Sequence, residues 1–138
     1  MKRPRYETDR DLTAEHAVAT RISEHLKADF IKIPLNSRAD YSFHDGNKIK
    51  AVVEIKRRTN TREKYDTYML SRGKYDGLLN WSKMGFNAAL FVEWSDALGY
   101  IKIPAPYTEG TGGRYDRGDP HDVESVVLIS TALFKSIK

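Results

Sequence analysis

The sequence contains no cysteine in its 138 residues. This excludes disulfide bonds, cysteine-ligated zinc or iron–sulfur sites, and a thiol nucleophile. No apolar run approaches the roughly 18 residues of a membrane-spanning helix, and the first residues, MKRPRYETDRD, lack the apolar core of a secretory signal. The four histidines show no metal-ligand spacing. These absences predict a cytoplasmic protein without a membrane segment.

Basic residues outnumber acidic residues only slightly, 23 to 19, for a formal net charge of +4. The distribution is uneven, because the segment from Lys48 to Lys64 holds seven basic and two acidic residues and therefore carries +5, which leaves −1 for the rest. A concentrated basic segment indicates a polyanionic partner such as nucleic acid. The alternative is a solvated strand end and loop.

Hydrophobic residues make up 40% and charged residues 30% of the chain, ordinary values for a globular protein. The length suits one domain with its own core. We therefore predict a single domain over residues 1–138, with a basic N-terminal arm over residues 1–10.

Periodic patterns place the elements along this domain. Apolar residues recur every four positions between Thr13 and Lys27, which predicts an amphipathic helix. Asp45-Gly46-Asn47 between two alternating runs predicts a β-hairpin. The other predicted elements are a strand over 30–34, a bend at 36–37, a loop and then a helix between 59 and 85, strands over 88–94, 98–103 and 123–129, a long loop over 104–122, and a terminal helix or tail. This order predicts a mixed sheet with helices on it, of the α/β or α+β class.

Three residues of the predicted hairpin carry the chemistry. A turn centred on Gly46–Asn47 sets Asp40 opposite roughly position 53, so its carboxylate neighbours that of Glu54 within one step of register. The run before Glu54 is apolar, which predicts a central, buried strand. Lys56, two residues further on, projects from the same face.

Two carboxylates held close together repel unless a cation neutralises them. Oxygen ligands of this kind suit Mg²⁺, with Mn²⁺ as a substitute, and such a site also takes substrate phosphate and water. Lys56 would orient the attacking water or neutralise developing charge. These parts make a phosphodiester hydrolase. The alternative is that Glu54 and Lys56 simply pair on a solvated edge strand.

The spacing of Asp40, then Glu54 after thirteen intervening residues, then Lys56 resembles the PD-(D/E)XK nuclease superfamily, especially its Holliday-junction-resolvase-like and phage-type members. The likeness covers about residues 11–134, and Ala39 stands where the motif's name has proline. It implies a restriction-endonuclease-like core, a central mixed sheet flanked by helices. It also implies an Mg²⁺-dependent DNA endonuclease, structure-specific for junctions or branches, in a bacterial or phage-infected cytoplasm. Related folds often form homodimers.

Carried over to this sequence, the resemblance makes Asp40 and Glu54 metal ligands, assisted by the backbone carbonyl of Ile55, and Lys56 the catalytic lysine. The family often adds an acid from the first helix. Glu15, beside the apolar stripe, is preferred to Glu24 for this role. On the helix after the motif, Lys74 and Ser71 are placed to reach a phosphate.

The basic residues after the motif form a track for phosphate contacts that position nucleic acid without reading bases. This track comprises Arg57, Arg58, Arg62 and Lys64. In the long loop, Arg114 and Arg117 would clamp the duplex or a partner chain, unless they pair with the nearby acids Asp116, Asp119 and Asp122.

Two other functions remain open on the sequence. A nucleic-acid-binding module that kept the fold would bind DNA without cutting it, although binding alone does not need paired carboxylates. A structural or assembly protein would instead use the basic segment to contact another protein.

Overall fold

The computed structural model describes residues 9–32, 40–113 and 123–137. The helices in these residues are α1 (Asp9–Leu26) and α2 (Arg72–Lys83). The strands are β1 (Asp29–Lys32), β2 (Tyr41–Asp45), β3 (Lys48–Arg57), β4 (Thr67–Ser71), β5 (Ala88–Glu93), β6 (Leu98–Ile103), β7 (Thr108–Gly113), β8 (Val123–Ser130) and β9 (Lys135–Ile137), and 3₁₀ turns cover Arg62–Lys64 and Thr131–Leu133.

The main sheet has six strands in the order β1-β2-β3-β5-β6-β9. The pairing of β3 with β5 is parallel, and the other pairings in this sheet are antiparallel. A parallel pair needs a crossover connection, which here runs through β4 and α2. The predicted class, α/β with a central mixed sheet flanked by helices, is confirmed.

The two helices pack against different groups of core residues on the sheet. The cluster beside α1 combines Val18 and Ile22 with Phe43, Val53 and Phe91. The cluster beside α2 is formed by residues of α2, of the main sheet and of the second sheet, among them Leu78, Val52, Leu90 and Ile129. Because neighbouring positions of a strand face opposite sides, the even-numbered residues from Val52 to Lys56 lie on the α2 side.

A second, three-stranded antiparallel sheet in the order β4-β8-β7 differs from the sequence prediction. The prediction of a helix beginning near Tyr68 was wrong, because Tyr68 and Leu70 are buried on one face of β4 and Met69 is exposed between them. The prediction of a loop throughout 104–122 was also wrong, since β7 pairs with the valine-rich β8. A Cβ at Gly110 would lie 3.3 Å from Leu128 Cδ1, so glycine allows this close approach.

Near the two ends of the chain, the structure also differs in part from the predicted elements. The first predicted helix is confirmed but begins four residues earlier, at Asp9. The predicted terminal helix is one 3₁₀ turn followed by β9, which pairs with β6. The N-terminal arm over 1–8, the bend at 36–37 and residues 114–122 lie outside the described residues. No helix of the described residues has both the length and the apolarity needed to cross a membrane.

Candidate active site

The β2–β3 hairpin forms as predicted and brings the motif residues together. Gly46 in its turn has a φ of +61°, a conformation that favours glycine. A bulge between Phe43 and His44 shifts the register by one step, so that Tyr41 rather than Asp40 pairs with Val53. The N–H of Asp40 still donates to the Val53 carbonyl at 2.9 Å. Asp40 therefore lies beside the end of β3 that carries the E-x-K sequence.

Glu54 is fully buried in the middle of the main sheet, between β2 and β5. The Lys74 Nζ atom lies 2.8 Å from its Oε1, yet neither carboxyl oxygen accepts a hydrogen bond of regular geometry within the described residues. Burial, helped by the neighbouring Asp40 carboxyl and opposed by the ammonium groups of Lys56 and Lys74, raises the pKa of Glu54 to about 8. The site thus holds an acidic group with unused lone pairs.

Asp40 is fixed by the backbone of β3. Its Oδ2 accepts a hydrogen bond from the Ile55 N–H at 2.9 Å. The N–H and the carbonyl of one strand residue point to the same neighbouring strand, so the Ile55 carbonyl is directed to the same side as Asp40. Each carboxylate oxygen of Asp40 keeps a further lone pair for another partner.

Glu15 is connected to this region through a lysine. Lys32 is the last residue of β1. Its Nζ atom lies 2.8 Å from Glu15 Oε1 and 3.8 Å from Asp40 Oδ1. Glu24, the other acid considered, is exposed further along α1. The Lys32 ammonium thus joins the Glu15 carboxylate to Asp40, and the role of Glu15 as the helical acid stays a prediction.

The donor set of Asp40 and Glu54 suits a hard divalent cation. Over 9–32, 40–113 and 123–137, no three His, Asp or Glu side chains gather into a metal cluster. Mg²⁺ does not need such a cage, because it is commonly held by one or two carboxylates, with water and substrate phosphate completing the shell. The buried Glu54 carboxyl beside the Asp40 carboxyl fits this pattern.

The basic track after the motif is only partly available to a substrate. The Arg57 Nε atom pairs with Glu93 Oε1 at 3.0 Å, and the Arg58 guanidinium lies over the Tyr68 ring, 4.7 Å from its centroid. Arg57, Arg58 and Lys64 are all exposed. Exposed guanidinium groups that are held by one partner still present other N–H donors.

The Arg62 guanidinium is engaged in contacts within the protein. Its guanidinium donates to Ser136 Oγ at 2.8 Å, to the Thr131 carbonyl at 2.9 Å and to the Phe134 carbonyl. It also lies over the Trp94 ring, 5.5 Å from the centroid. Arg62 therefore holds the C-terminal segment against the 3₁₀ turn at Arg62–Lys64, and its role as a phosphate contact stays a prediction.

The residues expected on the second helix are engaged within the protein. Ser71 is the N-cap of α2, and its hydroxyl oxygen accepts from the Lys74 N–H at 3.2 Å. The Lys74 ammonium contacts Glu54, and the phosphate contacts expected of Ser71 and Lys74 stay predictions. Arg114 and Arg117 lie outside the described residues.

Two features of the site were missed from the sequence. The bridging lysine, Lys32, is in register with Tyr41, so assuming that β1 pairs with β2 would have placed it next to Asp40. Ser42 Oγ and His44 Nε2 lie 2.8 Å apart on β2. Their positions, two apart in the sequence, could have predicted this contact, because residues i and i+2 of a strand lie on the same face.

The stability of the cation-free protein should decrease as the pH rises. The folded pKa of Glu54 is about 8, against an ordinary value of 4.5. Between these values the folded protein holds one proton more than the unfolded chain, so the free energy of unfolding falls with pH, by up to about 1.4 kcal/mol per pH unit. Urea denaturation in EDTA from pH 5.5 to 8.5 measures this slope. Glu54→Gln should flatten it, and an unchanged slope in that variant would refute the assignment to Glu54.

Comparison with known protein families gives a match over almost the whole chain. The family described as "Phage putative PDDEXK endonuclease" matches residues 1–137. No curated protein sequence matches the chain.

Among solved structures, a similar one is that of Archaeoglobus fulgidus Hjc, described as a Holliday junction resolvase from an archaeal hyperthermophile. The two structures superpose with a TM-score of 0.60 at 13% sequence identity, over 91% of this chain and 90% of that protein. At this identity the similarity demonstrates a shared fold, the restriction-endonuclease-like core expected from the motif.

Proposed function

Because this chain belongs to the phage PDDEXK endonuclease family, we propose that it is a divalent-cation-dependent DNA endonuclease that acts through Asp40, Glu54 and Lys56. The observation that carries the proposal is the fully buried Glu54 carboxyl, which lies beside a second carboxyl, that of Asp40. Burying an acidic group in this way is costly. A site that only binds the DNA backbone has no need of it.

Asp40 and Glu54 would hold the cation, with the Ile55 carbonyl on the same side as Asp40. When bound, Mg²⁺ lowers the pKa of a coordinated water and stabilises charge on a phosphoryl oxygen. The Ile55 N–H fixes the Asp40 carboxylate, so this ligand does not have to reorganise when the substrate arrives. Lys56 lies close enough for its charge to favour the ionised form of Glu54.

Lys56 would supply the positive charge that the reaction needs. It is partly buried on the strand that carries Glu54, and the spacing of two residues directs both side chains to one face. From there its ammonium can orient the attacking water or neutralise charge that develops on the phosphate. An ammonium that is partly shielded from water acts more strongly than one on the surface.

DNA would approach over the exposed basic residues that follow the motif. Arg57, Arg58 and Lys64 extend from the end of β3 and supply contacts to the phosphate backbone. The Archaeoglobus protein of the same fold is a Holliday junction resolvase, so branched DNA is the first substrate class to examine.

The decisive experiment incubates the protein with end-labelled substrates of one sequence, as a four-way junction, a flap, a linear duplex, a single strand and an RNA strand. Each is tested with Mg²⁺, Mn²⁺ or EDTA. We expect cleavage of at least one DNA substrate in Mg²⁺ or Mn²⁺ and none in EDTA. Salt-sensitive DNA binding without cleavage in either cation would show a binding module instead.

A further inference from the structure

The ion pair between Lys74 and Glu54 joins two elements at the candidate active site. Lys74 lies in the first turn of α2 and its Nζ atom is 2.8 Å from Glu54 Oε1. The Lys74 side chain is 31% exposed whereas the carboxylate is almost wholly buried. The ammonium therefore reaches the acid from the solvent side.

We propose that Lys74 is a resident counter-ion that competes with the divalent cation for Glu54. This inference rests on the proposed metal site. The Lys74 ammonium lies 2.8 Å from Oε1, one of the two oxygens through which Glu54 would bind a cation. A divalent cation beside a lysine ammonium is repelled, so the two positive groups oppose each other at this carboxylate.

The local structure allows Lys74 to yield its place. The Ser71 hydroxyl fixes the backbone N–H of Lys74 and not its side chain. A lysine side chain is long and flexible, and its charge is easily hydrated, so its partly exposed ammonium can move into solvent while Glu54 stays fixed in β3. Lys74 therefore pairs with Glu54 when no cation is bound and weakens cation binding.

The test is the affinity for Mn²⁺, measured by isothermal titration calorimetry without DNA. The protein is compared with Lys74→Met and with Lys83→Met, which removes an exposed lysine from the last turn of the same helix. We expect Lys74→Met to bind Mn²⁺ about tenfold or more tightly, because close charge pairs couple at this level. Lys83→Met should match the unmodified protein.

Thermal unfolding provides a second readout that does not depend on cleavage. In EDTA at pH 8, Lys74→Met should unfold at a lower temperature than the unmodified protein, because Glu54 loses its counter-ion. The double variant Lys74→Met/Glu54→Gln should recover the lost stability, and Mn²⁺ should stabilise Lys74→Met more than the unmodified protein.

The outcomes separate this inference from the proposed function. Equal or weaker Mn²⁺ binding by Lys74→Met, with binding retained in the unmodified protein, overturns the competition and leaves the metal site in place. Absence of Mn²⁺ binding in both proteins overturns the metal site and the competition together. Tighter Mn²⁺ binding by Lys74→Met, with Lys83→Met unchanged, supports both the metal site and the competition.

Discussion

We expect Asp40→Asn and Glu54→Gln each to lower the rate of Mg²⁺-dependent DNA cleavage by about 10³-fold or more, since a catalytic metal supplies several kcal/mol of transition-state stabilisation and each 1.36 kcal/mol is tenfold. Lys56→Met should lower the cleavage rate by about 10²-fold or more, which is the loss seen when a preorganised electrostatic group is removed. Single-turnover cleavage with saturating enzyme measures these changes.

The same substitutions should leave the fold intact. Glu54→Gln keeps the shape of the buried side chain, and the partly exposed Lys74 ammonium then turns to solvent. Matched controls are Asp45→Asn at the end of β2, Glu63→Gln in the 3₁₀ turn and Lys83→Met in the last turn of α2, all at exposed positions. These controls should cut within a few-fold of the unmodified protein. Full activity in Asp40→Asn, Glu54→Gln or Lys56→Met would rule out the assigned site.

Arg62→Ala should lower the free energy of unfolding by about 2–3 kcal/mol, because it removes several hydrogen bonds from one charged group and leaves carbonyl groups without a donor. The affected carbonyls belong to Thr131 and Phe134, at the start of the C-terminal segment. Urea denaturation should show a lower midpoint with an unchanged m-value.

A substitution at Lys64, in the same 3₁₀ turn, distinguishes a structural role of Arg62 from a role in DNA binding. Lys64→Ala, at an exposed position, should change stability by less than about 0.5 kcal/mol. Arg62→Lys should restore only part of the stability, since lysine cannot reproduce the guanidinium fork. If Arg62→Ala kept full stability but lost DNA affinity, Arg62 would be a phosphate contact after all.

The hairpin and its carboxylates could be predicted because their signals are local. The Asp45-Gly46-Asn47 turn fixes which arms pair, and the apolar run before Glu54 requires a strand buried on both faces. The predicted pairing of Asp40 with position 53 was correct to within one residue of register, and the bulge between Phe43 and His44 accounts for the difference. The resemblance to a nuclease family added Glu15, which the turn and periodicity did not indicate.

The remaining features depend on contacts between distant parts of the chain. The short β4 alternates buried and exposed residues over five positions, and its tyrosine and leucine also suit the helix that follows. The glycine-rich β7 has little apolar alternation and forms because β8 offers a partner. The role of Arg62 depends on residues about 70 positions away, so local sequence shows only that it is basic.

The most direct test of the central claim, that Asp40 and Glu54 together hold the cation, is anomalous diffraction from crystals grown with Mn²⁺. The account predicts a peak bonded to carboxylate oxygens of both residues, with the Lys74 ammonium no longer in contact with Glu54 Oε1. A peak elsewhere, or no peak with the Lys74–Glu54 pair intact at saturating Mn²⁺, would contradict it.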